Sequence, residues 1–157
     1  MFRLYSKGCE YAIRALLCVV PKGEVRRFQA AEICKRVGIP EPYTRKVFQA
    51  LVRGGFLRAS RGPGGGYELT RDPRSITLLE VIRAVDGDGT FDQCVMGLPQ
   101  CGSDRPCPLH PVWSEAKEQL LEQLARQTLE DLSSLRHCDG RVSEAQPRKA
   151  RRRLAKK

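Results

Sequence analysis

The sequence predicts a mostly α protein with a small β-hairpin wing, a winged helix-turn-helix domain joined to a long C-terminal helix. Three stretches predict it. Between Gln29 and Arg53 two short helical runs meet at Gly38. Phe56 to Ser60 and Tyr67 to Thr70 read as strands flanking a glycine-rich tip. From Pro111 to about Leu135 no Gly or Pro interrupts a run with Trp113, Ala116, Leu120, Leu121, Leu124, Leu132 and Leu135 at helical spacing.

The 157 residues, 41% of them hydrophobic, suffice for one domain with its own core and extensions. The only early apolar run, Tyr11 to Val20, carries Arg14 and is too short for a membrane span or an export signal. A cytoplasmic protein with no membrane partner is expected. Seven cysteines, an odd number with three in one loop, suit metal chemistry better than a secreted disulfide framework. Cys18 and Cys34 lie in apolar helical runs, where a free thiol packs as a small, inert hydrophobe.

The net charge of +10 is unevenly placed. Residues 22–74 carry 12 basic against 5 acidic side chains, residues 75–140 carry 5 against 11, and residues 141–157 carry 8 against 1. Such polarity suits a chain that lays its 22–74 region on a polyanion and keeps 75–140 for another task.

In order along the chain, Ala12, Ala15, Leu16 and Val19 recur at helical spacing from Lys7 to Val20, and Pro21 with Gly23 ends that run. Ala30, Ile33 and Val37 on one partner and Val47, Phe48 and Leu51 on the next give a helix-turn-helix its facing apolar surfaces. Tyr43, Thr44, Arg45, Lys46 and Gln49 then lie near the start or on the outer face of the second helix, where such motifs meet base edges in the major groove of double-stranded DNA. In the hairpin tip Arg61-Gly-Pro-Gly-Gly-Gly66, the glycines, Gly64 among them, let backbone approach DNA closely, and Arg58 and Arg61 are placed for phosphate or a narrow minor groove. Tyr67 stands where a dinucleotide fingerprint needs glycine, so nucleotide binding is disfavoured. Thr77-Leu-Leu-Glu80 has the spacing of a capping box.

Phe91 to Trp113 contains Cys94, Cys101, Cys107 and His110 among glycines and prolines. A stretch so poor in apolar residues needs something other than packing to order it, and thiolates with an imidazole point to a bound metal. The gaps are wide, with no tight zinc knuckle, which favours an iron–sulfur cluster over zinc. The apolar stripe after Trp113 is longer than a small winged domain covers, so a second copy is expected to pack on it, with Trp113, Leu120, Leu124 and Leu132 at the seam. The expected segments are residues 1–85, a winged DNA-binding domain; 86–111, a cysteine-rich loop; 112–138, a dimerisation helix; and 139–157, a basic disordered tail.

With these elements in order, Tyr11-Ala-Ile-Arg-Ala-Leu16, Ile39 to Leu51, Arg61-Gly-Pro-Gly-Gly-Gly-Tyr67 and Cys107-Pro-Leu-His-Pro-Val-Trp113 together resemble the IscR/NsrR-type (Rrf-two) family of winged-helix iron–sulfur transcriptional regulators over roughly residues 2–135. The resemblance implies a homodimer on a palindromic operator. It also implies a cluster, 2Fe-2S favoured and 4Fe-4S possible, on Cys94, Cys101 and Cys107. The fourth ligand stays open between His110, which shares the loop, and Glu10, at a position from which one branch supplies a partner-subunit carboxylate. The family's signals are redox state, nitric oxide or iron and cluster supply. A different class of function, an apo or zinc-stabilised protein of this fold that binds a metabolic enzyme or responds through thiols, is the alternative. An enzyme is disfavoured, since His110 has no evident orienting partner in the sequence.

Overall fold

The computed structural model describes residues 4–20, 27–97 and 107–133. Cys101, Cys138 and the tail from residue 139 lie outside them, as do the helix positions expected beyond Ser133. The elements run α1 (Lys7–Val19), α2 (Ala30–Val37), α3 (Glu41–Arg53), β1 (Leu57–Ser60), β2 (Gly66–Leu69), a 3-10 turn (Pro73–Ser75), α4 (Leu78–Asp86), a second 3-10 turn (Asp88–Phe91), α5 (His110–Arg126) and α6 (Leu129–Ser133). The expected class, mostly α with a two-stranded hairpin, is the observed one.

Local chemistry sets most of these limits. Ser6 caps α1, its hydroxyl accepting from the Cys9 amide at 3.1 Å. Gly38 ends α2 in the left-handed region at φ 67°, where a side chain would be strained. Pro42 sits in the first turn of α3, where its missing N–H costs nothing. Thr77 and Glu80 complete the capping box of α4, each side chain accepting from the other's backbone amide.

Burial of one face of each helix builds the main core, in which Leu16, Ile33, Phe48, Leu51, Leu57, Ile76, Val81 and Leu129 close together. α1 lies against α2, α3 and α4. A smaller core of Cys9, Leu79, Ile82, Phe91 and Leu124 joins α1, α4 and α5. Each large aliphatic or aromatic side chain so buried contributes about 1.5–3 kcal/mol.

The C-terminal helix is not continuous. α5 stops at Arg126, Gln127 is extended (ψ 126°), and α6 begins at Leu129. The break is stitched to the entry of α4, with the Leu78 amide donating to Gln127 O at 3.0 Å and the Leu129 amide donating to Ile76 O at 2.9 Å. Thr128 and Asp131 repeat the reciprocal cap: each accepts, through its side chain, from the other's backbone amide, at 3.2 and 2.9 Å. Leu129, fully buried in the main core, is what the turn delivers. The expected unbroken helix over 112–138 is therefore corrected: a local cap plus one core leucine outweighs continued helical hydrogen bonding.

Both caps depend on ionised carboxylates. Partial burial opposes ionisation of Glu80, but hydrogen bonds from the Thr77 amide and from the Arg71 and Thr77 side chains outweigh it and hold the carboxyl below the usual range. Hydrogen bonds from the Thr128 side chain and amide do the same for Asp131. Carboxyls lowered on folding stabilise the fold above their unfolded pKa, and that contribution is lost as pH falls through the folded value. Glu80→Gln should thus lower the urea midpoint at pH 7, with the difference from the parent shrinking as pH falls below about 4. A gap that stays constant down to pH 3 would contradict this.

Candidate nucleic-acid interface and cysteine site

Helix phase decides which α3 side chains face outward. Thr44, Val47, Phe48 and Leu51 are buried, whereas Arg45, Lys46 and Gln49 are exposed and Tyr43 is 55% exposed. Thr44 is consequently no surface contact. It is 1% exposed, accepts the Cys34 thiol at 2.9 Å and donates to Pro40 O at 3.3 Å, closing the turn between α2 and α3 from inside. Arg45 makes only a 3.5 Å pair with Glu41 along the exposed face, and among the described residues Lys46 has no ion pair. A surface pair of that kind contributes about 0–1 kcal/mol and yields readily to a phosphate or a base.

In the wing, β1 and β2 pair antiparallel with Arg58 opposite Glu68, and that register gives a 2.6 Å salt bridge. The pair engages Arg58 through Nε and leaves its side chain 70% exposed. Arg61 is exposed at the tip without an ion pair among the described residues, and Gly64 is exposed at φ 74°. A cleft of about 400 Å³ on the other flank of α3 is lined by Lys7, Tyr43, Lys46 and Arg53 and by Asp86. Arg53 follows Lys46 by seven residues, two turns along the same flank, a spacing that puts both cations in one cleft.

At the cysteine stretch, Cys94 is buried, and its carbonyl accepts from Gly97 at 2.9 Å. Cys107 is half-buried, and its carbonyl accepts from the His110 amide at 2.9 Å, so these two ligand candidates share the turn that opens α5. His110 is the first residue of α5, after Leu109 at the N-cap. The Trp113 indole donates to Gln93 O at 3.3 Å and ties the residue before Cys94 to the first turn of α5. Among the described residues no three His, Cys, Asp or Glu side chains converge as a metal cage; Cys101 is outside them. The donor types, three thiols and an imidazole, suit an iron–sulfur cluster, and two of the four are brought to one turn.

Glu10 is engaged elsewhere, 2.7 Å from Lys7 and 3.7 Å from Arg14 on its own helix. Cys9 is fully buried, and burial, with Asp86 nearby, pushes its thiol up to about 12. It stays protonated at neutral pH and is a poor competitor for metal. Cys9, Cys34, Cys94 and Cys107 are not disulfide-bonded. Cys34 packs as expected, and Cys18 is half-buried against the main core.

The seam residues divide. Leu132 packs on the main core, and Leu124 with the half-buried Leu120 on the second, all within the chain, while Trp113 is half-exposed on α5 beside Val112, which is 68% exposed. Among the described residues no helix is long and apolar enough to cross a membrane.

Residues 5–134 match the family model Rrf2, described as an iron-dependent transcriptional regulator. The chain belongs to the Rrf2 family. It is 38% identical over 130 residues to the HTH-type transcriptional regulator IscR of Klebsiella pneumoniae, covering 83% of this chain and 78% of that one. Against IscR of Escherichia coli the identity is 37% over the same length. Among solved structures, CymR, the global cysteine regulator of B. subtilis, has a TM-score of 0.70 at 26% identity, covering 86% of this chain and 98% of that one. IscR of T. potens has a TM-score of 0.63 at 26% identity, covering 82% and 85%. This Rrf2 protein is a DNA-binding transcriptional regulator with a winged helix-turn-helix, and it is not an enzyme.

Proposed function

We propose that this Rrf2 protein is a cytoplasmic homodimeric regulator that reads a palindromic operator and whose affinity for it is set by an iron–sulfur cluster. Cys94, Cys101 and Cys107 would hold the cluster, with His110, which shares the turn with Cys107, as fourth ligand in preference to Glu10. The observation that carries this is the Cys107–His110 turn opening α5, tied by Trp113 to the residue before Cys94. The iron-dependent description of the family model adds support. When bound, the cluster supplies a centre that oxidants or nitric oxide can modify, and short iron or cluster supply leaves it unfilled.

The chain's own residues do the rest. Arg45, Lys46 and Gln49, with Tyr43 at their edge, enter the major groove from α3, and Arg61 and Gly64 meet the adjacent backbone or minor groove. Val112, Trp113 and Leu120 on α5 pack against a second copy, so a two-fold axis sets half-site spacing. Because α5 begins at the cysteine turn and packs on α4 through the second core, ordering that turn biases how the two winged domains are spaced. Thiol or zinc control of the same DNA interface is the second reading, favoured by the likeness to the cysteine regulator CymR.

Arg45→Ala tests the reading helix. Its affinity for a specific site should fall roughly 5- to 150-fold, the ~1–3 kcal/mol of one bidentate base contact, with little change on random duplex. Equal loss on both would make Arg45 a phosphate contact only.

A further inference from the structure

The segment entering α2 is bound to the wing by more than a connection requires. Phe28 and Tyr67 exchange two backbone hydrogen bonds of 2.9 Å, an isolated antiparallel bridge that pins the segment to β2 at one point. On either side of that bridge a side chain reaches the glycine tip. Arg27 Nη1 donates to Gly64 O at 3.3 Å, and Gln29 Nε2 donates to Gly65 O. Arg27 also lies 3.8 Å from Glu68. The backbones approach so closely that a Cβ on Gly66 would stand 2.5 Å from Phe28 O. Phe28 stacks on Tyr67 and meets Phe48 edge-on, which links the wing to α3.

Gln29 occupies the N-cap of α2, where Ser, Thr, Asp or Asn would accept an amide hydrogen bond. Its side chain makes no cap bond and is aimed at the wing instead. The carbonyls it and Arg27 engage belong to a largely exposed hairpin tip that water would satisfy without help. The two side chains therefore restrict position rather than rescue buried polar groups.

We infer that Arg27 and Gln29 are positioning residues for DNA binding: they fix the wing tip, and Arg61 with it, relative to α3, so that helix and wing meet one duplex without ordering the tip on contact. This rests on the reading that Arg61 touches DNA, and it assigns the region before α2 a part in affinity that needs no contact of its own.

The probe is a duplex selected from a random library by the wild-type full chain, titrated with wild type, Gln29→Ala, Arg61→Ala and the double variant at one salt concentration. Gln29→Ala should weaken binding about 3- to 10-fold, the range one lost hydrogen bond supports. The same change should have no effect in the Arg61→Ala background. In the free protein, amides of Gly65 and Gly66 should exchange faster in Gln29→Ala while those of α1 and α3 are unchanged. Arg27→Gln should weaken binding while leaving the slope of log affinity against log salt unaltered, since a phosphate contact would lower it by about one. Additive losses in the double variant, or unchanged affinity and exchange in Gln29→Ala, overturn the positioning role. Wild-type affinity in Arg61→Ala would instead remove the wing contact itself, and the inference with it.

Discussion

Cys107→Ala should leave a folded, dimeric protein that no longer absorbs in the visible and binds its operator with roughly 5- to 150-fold altered affinity, the range of a ~1–3 kcal/mol coupling. The substitution is chosen because Cys107 is half-buried before α5, whereas Cys94 is 7% exposed and its removal also disturbs packing. The Cys107 thiol is one of three in the stretch from Phe91 to Trp113, so a lost ligand is not compensated nearby. Cys9 is packed in the second core, where burial pushes its thiol up to about 12, so it is a poor replacement ligand. His110→Ala should give a milder phenotype, a cluster that forms and is lost faster, because an imidazole is the weaker ligand of the set. Unchanged colour and unchanged operator affinity in Cys107→Ala would sink the coupling.

Leu129→Ala should destabilise the fold by about 2–5 kcal/mol, measured as a shift in the urea midpoint, because Leu129 is fully buried among Ile76, Val81 and the α1 face. Val112→Ala, 68% exposed on α5, should leave the monomer fold nearly unchanged and weaken dimerisation instead, read by sedimentation. The contrast separates the two roles that a single straight helix would have merged. A Leu129→Ala variant as stable as wild type would mean that the turn at Gln127 does not deliver this side chain to the core.

Much of the architecture was legible because its signals are local. Gly38 in the left-handed region, prolines at the start of α3, a glycine-rich tip and the Thr77–Glu80 box each specify a boundary within a few residues. Two errors also had local signals. Thr44 precedes Val47 by three and Phe48 by four, the spacing of the buried face, so its inward orientation was written in the helix period. Thr128-Leu-Glu-Asp131 has the box spacing already used at Thr77, and Leu129 stands five residues after Leu124, out of phase with the stripe. The wing brace was not legible, because Arg27 and Gln29 meet residues 37 and 36 positions away and nothing in a periodic pattern reports such pairs. Cysteine spacing disclosed donor chemistry but no distances, and the described residues bring only Cys107 and His110 to one turn.

The most direct measurement is the visible absorption spectrum of the full-length protein purified without oxygen, with iron, sulfide and zinc determined on the same sample. A brown protein with visible bands, iron and sulfide, bleached on exposure to air or nitric oxide, is the expected result. A colourless protein holding one zinc per chain, or no metal and an operator affinity that follows thiol oxidation alone, would contradict it.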